Sequence, residues 1–371
     1  MPEVESRIGA NSVDEVLADF DRLRGSFDEV REVTGRLIEV ILKVEEIAIH
    51  SVQARVKSRE KLRYKYCKSD KDYKCLGDIS DLIGLRIITF YSDKLDVIAA
   101  IIAREFEQRA PLEDKRVGDL DSFGYSAIHM DCAYSPERKR STEYRRYANA
   151  RFEIQITTIL GHAWAEMHHP WYDEFNSPPE EVRRFHRLAA VLELAEQEFL
   201  DIRRKKEQRE LSASVRVAAK TPGTPITPES LKALIEQSEL VIDLDRKLLT
   251  IQGGDNLAEP KATILSSMAT LVNAVGIDTI QALEDQLRDR GNGVIEFVAG
   301  RRVTSKSGEA KAGPVLPKGL CILQLTVFLA STLGPDRYKA FAEQAHLSVP
   351  EDKVLDRQVA IAQAIDKARK P

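Results

Sequence analysis

The stretch at residues 80–90, SDLIGLRIITF, constrains the fold more than any other part of the chain. Leu82, Ile83, Leu85, Ile87 and Ile88 are β-branched-rich and show no helical stripe, so the run predicts a buried central strand. Gly84 lets a neighbouring backbone come close, and Asp81 stands at the mouth of the run, where a strand end holds a carboxylate rigidly. A second strand is predicted at residues 151–156, RFEIQI. There Phe152, Ile154 and Ile156 alternate with Arg151, Glu153 and Gln155, which turns Glu153 away from the apolar side. Two carboxylates on neighbouring strands of one sheet can hold Mg²⁺, which takes one or two carboxylates together with substrate phosphates. The competing reading is a solvated or salt-bridged pair, the commoner fate of an isolated Asp and Glu.

With 371 residues the chain is long enough for two domains, each with its own core. A net charge of −4 gives no global attraction to nucleic acid or anionic membrane, so any basic site has to be local. Cys67, Cys75, Cys132 and Cys321 form no CxxC pair, which predicts reduced thiols in a cytoplasmic protein and no cysteine metal cluster. The opening MPEVESRIGANSVDEV lacks the basic start and apolar core of a secretory signal. The most apolar run, residues 320–333, is interrupted by Gln324, Thr326, Ser331 and Thr332 and falls short of the ~20 residues that span a bilayer. A buried helix is expected there, and no membrane partner.

Local basic charge lies just upstream of Asp81. Residues 55–74 hold nine Lys or Arg against three acidic residues, and RVKSREKLRYKY is basic at every second position up to Lys65. Such a run is usually a solvated face. Its functional reading is a phosphate cradle: Arg55 and Lys57 at a strand end point to one side, and Lys61 and Lys65 at a helix start share a face. Further on, GYSAIHMDCAY at residues 124–134 predicts a turn into a strand. Gly124 there either presents Tyr125 as a stacking surface for a base or leaves it packed under its own loop. TTILGHAWAEMHH, residues 157–169, carries His162, Trp164, Glu166 and His168 but no HExxH. His162 and Glu166 share a helix face, which predicts a hydrogen-bonded structural role rather than metal ligation.

The rest reads as scaffold. A capping box of Ser12 and Glu15 starts a helix expected to end near Gly25, and a second follows over residues 30–47. Helices are also expected at 97–106 and, after Ser177 and Pro178, along a long amphipathic stretch. TPGTPITP at residues 221–228 reads as linker. Beyond it helices are expected at about 229–249, 262–275, 278–290, 320–333, 336–344 and 351–367, with a short strand in VIEFVAG at 294–300. The expected layout is N-terminal helices over 1–48, a catalytic domain over 49–210, a linker over 211–228 and a mainly helical domain over 229–371.

Taken in order, RVKS at Arg55, SDLIGLRII at residue 80, GYSAIH at Gly124, EIQI at Glu153 and HAWAEMHH at His162 resemble the synthetase domain of the RelA/SpoT family, over about residues 31–204. The resemblance implies an α+β, nucleotidyltransferase-like fold with a mixed sheet flanked by helices. It also implies a reaction in which the β,γ-pyrophosphate of ATP moves to the 3′-hydroxyl of GDP or GTP, making ppGpp or pppGpp and releasing AMP. Asp81 then binds Mg²⁺, and Glu153 joins it on the metal or activates the acceptor hydroxyl. Arg55, Lys57 and Lys65, with Lys61 beside them, hold the ATP phosphates, and Arg86 lies near the donor. Tyr125 stacks on the acceptor base, with Gly124, His129 and Gln155 on the acceptor side.

The chain also departs from the family. Lys61 replaces a usual Ser, Thr157 a usual Arg and Ala127 a usual Ser, and DLDSFGY lacks the Pro-Lys before the acceptor glycine. Most of these changes fall on the acceptor side. Alternative acceptors are therefore an adenosine nucleotide or the tRNA 3′ end, as in toxic family members. A catalytically silent nucleotide-binding regulator is a further alternative, against which stands the retention of two carboxylates facing anionic phosphates. No upstream His-Asp hydrolase domain is read, and the C-terminal half is expected to serve in homo-oligomerisation, in sensing, or as a neutraliser of the synthetase.

Overall fold

Ser12 and Glu15 close their capping box, with Glu15 N donating to Ser12 Oγ at 3.2 Å and Ser12 N to Glu15 Oε2 at 3.0 Å. The helix they open, α1 (Val13–Val44), is a single element rather than the expected pair. Gly25 lowers helix propensity, but without a proline nothing breaks the hydrogen-bond ladder. This computed structural model describes residues 12–68, 73, 75–114, 127–171, 178–302, 315–344 and 348–369, and the chain divides into two compact units, Met1–Arg203 and Arg204–Pro371.

In the first unit α1 is followed by β1 (Ile49–Val56), α2 (Arg59–Lys68), β2 (Ile83–Thr89), α3 (Leu95–Glu105), β3 (Phe106–Gln108), β4 (Glu113–Asp114), β5 (Ile128–Tyr134), α4 (Pro136–Arg140), β6 (Arg151–Thr158), α5 (Ile159–Trp171) and the start of α6 (Pro179–Ala218). The strands form one mixed sheet in the order β1-β2-β6-β5-β3, with β4 also on β5. β2 and β6 run parallel, and every other pair is antiparallel.

Period-two alternation gives this sheet two different faces. Leu85, Ile87, Ile128, Met130, Ile154 and Ile156 are at most 1% exposed and share one core cluster with Phe20, Ile38 and Leu42 of α1 and Ile98 and Ile102 of α3. Tyr134, also fully buried, keeps its hydroxyl satisfied by Thr34 Oγ1 at 2.6 Å. The central strand differs from its sequence reading in one respect. β2 begins at Ile83, so Asp81 sits in the preceding turn, and Gly84 and Arg86 are only half-buried because they face a cleft.

The second unit is mainly helical: α7 (Pro228–Gln237), α8 (Glu239–Gln252), β7 (Leu257–Ala258), α9 (Ala262–Ala274), α10 (Ile280–Arg302), β8 (Leu316–Pro317), α11 (Leu320–Thr332), α12 (Pro335–Gln344) and α13 (Asp352–Ala368). Three expectations are corrected here. The helix expected over 229–249 is two helices capped apart at Ser238. The strand expected in VIEFVAG is the C-terminal part of α10, where Val294, Phe297 and Val298 bury one helical face and packing overrides β propensity. The linker expected over 211–228 is helical to Ala218 and is then fastened by Ile226 N to Asp278 O at 3.1 Å and Ile280 N to Thr224 O at 2.9 Å. Among the described residues no helix is long and apolar enough to cross a membrane. All four cysteines are free, with Cys132 and Cys321 buried.

Candidate active site

The polar face of the sheet carries two adjacent rows of side chains. Register aligns Gln53, Arg86, Gln155 and His129 in one row, and Arg55, Gly84, Glu153 and Asp131 in the next. Because residues two apart in a strand share a face, the rows lie side by side. Gly84 is the gap in the second row. A Cβ there would meet the Arg55 side chain at 3.8 Å, so its absence leaves space between Arg55 and Glu153. Above the rows is a cleft of about 320 Å³, whose lining includes Arg55, Lys57, Lys61, Asp81, Glu153 and Gln155.

Asp81 is brought to the cleft mouth by backbone pairing that runs past the strand ends, Lys57 N donating to Leu82 O at 2.8 Å. Its carboxylate is gripped from two elements. Lys57 Nζ, just beyond β1, lies 2.7 Å from Oδ2, and Lys65 Nζ, on α2, lies 2.8 Å from Oδ1. Burial pushes the Asp81 carboxyl up, but the two ammonium groups outweigh it and hold it below its ordinary value. Arg24 of α1 braces this corner by donating to Lys57 O at 3.2 Å. Lys57 and Lys65 thus converge from a strand end and a helix, as the spacing of the basic run predicts, while Arg55 and Lys61 line the same cleft with exposed side chains.

Glu153 is held from its own face of the sheet. His129 Nδ1 lies 3.0 Å from Oε1, and Gln155 Nε2 donates to Oε2 at 2.9 Å. Burial raises this carboxyl and His129 lowers it, with a further upward push from the charge of Asp81; the net is a group held below the ordinary carboxylate value. Both carboxylates are therefore ionised at neutral pH and feel one another across the cleft. Arg86 forms the cleft's other wall. Its Nε and Nη2 donate to Gln155 Oε1 at 3.3 and 3.2 Å, and its Nη1 to Glu166 Oε1 at 2.7 Å. Arg86 Nη1 is also 2.9 Å from His162 Nδ1, and since a guanidinium only donates, this ring nitrogen is the acceptor. Burial and the Arg86 charge lower the His162 pKa, consistent with a neutral ring that orients Arg86.

Of the residues singled out in the sequence, Arg55, Lys57, Lys61, Asp81, Arg86, Glu153 and Gln155 line one cleft, and Lys65 and His129 each contact one of its carboxylates. Gly124 and Tyr125 lie outside the described residues, as does the side chain of His168. Glu166, expected in a hydrogen-bonded structural role, fixes Arg86. Two contributors escaped the sequence reading: Gln53 lines the cleft beside Arg86, and Asp131 takes a paired hydrogen bond from Arg151 Nε at 2.8 Å. Period two could have found Gln53 and Asp131, which stand two positions from Arg55 and His129.

Among the described residues no group of three His, Cys, Asp or Glu side chains could enclose a metal ion. The donor set instead suits a hard divalent cation that takes two carboxylates and completes its shell with substrate phosphate oxygens and water. Asp81 Oδ1 supports that fit. It is buried, and its approach to Lys65 is an ion pair without a well-directed hydrogen bond.

Residues 54–176 match the family described as a region found in RelA / SpoT proteins. No curated protein matches the chain. Small alarmone synthetase 1 from Bacillus subtilis is similar at 19% identity over 51% of this chain and 98% of its own, with a TM-score of 0.44. The same protein bound to its product pppGpp matches at 19% identity over 51% and 99%, with a TM-score of 0.41. Bound to AMPCPP it matches at 19% identity over 51% and 99%, with a TM-score of 0.38.

Proposed function

We propose that this chain, in which residues 54–176 carry the region found in RelA/SpoT proteins, is an ATP-dependent pyrophosphokinase that transfers the β,γ-pyrophosphate of ATP to the 3′-hydroxyl of GDP or GTP. The observation that carries the reading is the cleft itself. Two ionised carboxylates, Asp81 in the turn before β2 and Glu153 on the adjacent strand β6, face a basic segment whose Lys57 and Lys65 converge on Asp81. Charge of both signs concentrated in this way suits a phosphoryl-type transfer, which depends on in-line positioning and charge neutralisation more than on covalent chemistry.

In the reaction the acceptor 3′-oxygen bonds to the β-phosphorus, the bond from that phosphorus to the oxygen bridging to the α-phosphate breaks, and AMP leaves with the electron pair. Glu153, kept ionised by His129 and Gln155, accepts the hydroxyl proton. Lys57 and Lys65 exchange Asp81 for the triphosphate when ATP enters, joined by Arg55 and Lys61, and Arg86, fixed by Gln155, His162 and Glu166, borders the donor. Asp81 and Glu153 are the side chains that would hold Mg²⁺, which supplies neutralisation of the phosphate charge when bound.

The partners of the reading are ATP and a guanosine nucleotide. Pulse-labelled ATP with Mg²⁺ and GDP, GTP or deacylated tRNA, followed by separation of products, tests it. AMP release with a labelled guanosine product is expected. Label on the tRNA 3′ end in place of a guanosine product transfers the assignment to the toxic synthetases, and no AMP with any acceptor leaves a nucleotide-binding regulator.

A further inference from the structure

The second unit contains a cavity of about 370 Å³ between α8, α10, α11 and α13, which the proposed synthetase reaction does not use. It opens where a close helix seam ends. A Cβ at Gly300 of α10 would lie 3.5 Å from Ile361 of α13, one at Gly293 would lie 3.0 Å from Ile365, and Arg290 is paired with Asp366. Small residues along α10 thus press these two helices together, and past Ile361 the space between them is lined by Val298 and Arg301 from α10 and Arg357 and Gln358 from α13. Gln324 of α11 completes the polar part.

Three features of this cavity ask for a ligand. Arg357 and Arg301, the latter with its guanidinium over the Phe297 ring at 5.3 Å, bring positive charge to its lining. Gln358 is 2% exposed, and its Nε2 donates at 2.9 Å to Ser331 Oγ, which itself donates to Val327 O at 2.7 Å. This turns Gln358 Oε1 away from Ser331, and among the described residues it has no hydrogen-bond partner, nor does the buried Oε1 of Gln324. Buried amide oxygens left in this state are rare in folded proteins and are normally matched by a donor. The remaining wall is aliphatic, from Val298 and Ile361.

We infer that this cavity is a binding site for a small organic anion that combines a carboxylate, an N–H or O–H donor and an aliphatic part. The carboxylate meets the guanidinium groups of Arg301 and Arg357. The donor group satisfies the oxygens of Gln324 and Gln358, and the aliphatic part packs on Val298 and Ile361. The site stands on the second unit alone and is independent of the proposed reaction, so failure of either leaves the other in place.

Calorimetric titration of the full chain with three probes of one carbon skeleton tests the inference: L-leucine, 2-hydroxy-4-methylpentanoate and 4-methylpentanoate, which carry an ammonium, a hydroxyl and a hydrogen beside the carboxylate. The amino or hydroxy acid is expected to bind at least about tenfold tighter than 4-methylpentanoate, the discrimination of one matched hydrogen bond. Gln358→Leu is expected to abolish that discrimination, and Arg357→Ala to weaken every probe by about tenfold or more. Should Gln358→Leu fail to fold by circular dichroism, Gln324→Leu reads the same loss of discrimination. Absence of saturable heat with all three probes, equal affinity for the three, or discrimination unchanged in the glutamine variant would overturn the site.

Discussion

Asp81 and Glu153 hold charge in a partly buried cleft by different means, the first by two lysines from separate elements, the second by a histidine and an amide from its own sheet. Replacing Asp81 by Asn or Glu153 by Gln keeps shape and removes charge. Each variant is expected to lose about 10²-fold or more in turnover at saturating Mg²⁺ with its circular dichroism unchanged, the scale on which a single preorganised electrostatic contact acts. Wild-type turnover in either removes that residue from the site. The same charges shape acid stability. Both carboxyls are held below their ordinary values in the folded chain, so their stabilising contribution is fully present above the unfolded carboxylate range near ~4 and is lost as pH falls through the lowered folded values. Urea midpoints of wild type and Asp81→Asn should therefore converge on acidification, and parallel curves would contradict the ion-pair account.

At the scale of elements, the sequence was most legible where one period dominated. Alternation placed the strand at Arg151–Thr158, and the i, i+4 spacing of Lys61 and Lys65 placed them on a helix that follows β1. It was least legible where tertiary contact decided the outcome. The β-branched run at 294–300 became helix because Val294, Phe297 and Val298 have a helical core to enter, and the proline-rich 221–228 joined the second unit because Ile226 is buried there. Gly25 misled in the opposite direction, reading as a helix end inside an unbroken α1. A Cβ at Gly25 meets nothing within 4 Å, so Gly25→Ala is expected to stabilise the first unit by about 0.5–1 kcal/mol, measured as a rise in urea midpoint. A fall would mean that the glycine serves a contact not seen here.

For the whole molecule, the two units have separate hydrophobic clusters: one in the first, built on the mixed sheet and α1, and two in the second, the larger on α7 to α11 with α13 and the smaller joining α12 to α9, α11 and α13. Composition and length announced two cores, but the division falls inside α6, between Arg203 and Arg204, where the helical sequence carries no compositional break. In the second unit Asp245 is buried and accepts from Gly319 N at 2.6 Å and Cys321 N at 2.8 Å, capping α11. Asp245→Ala leaves these donors without that acceptor, at about 1–3 kcal/mol for each. It is expected to lower the melting of the second unit while wild-type pyrophosphoryl transfer persists below that transition; loss of transfer at temperatures where the second unit remains folded would show that the units are functionally coupled.

The central claim, that one cleft moves a pyrophosphoryl group intact, is tested most directly by ³¹P nuclear magnetic resonance of the purified chain with ATP, Mg²⁺ and GDP. AMP should accumulate in step with a new pyrophosphate ester on the guanosine 3′-oxygen, and both should vanish in Glu153→Gln. Accumulation of ADP and free phosphate without AMP, or AMP with free pyrophosphate and unaltered GDP, would contradict the account.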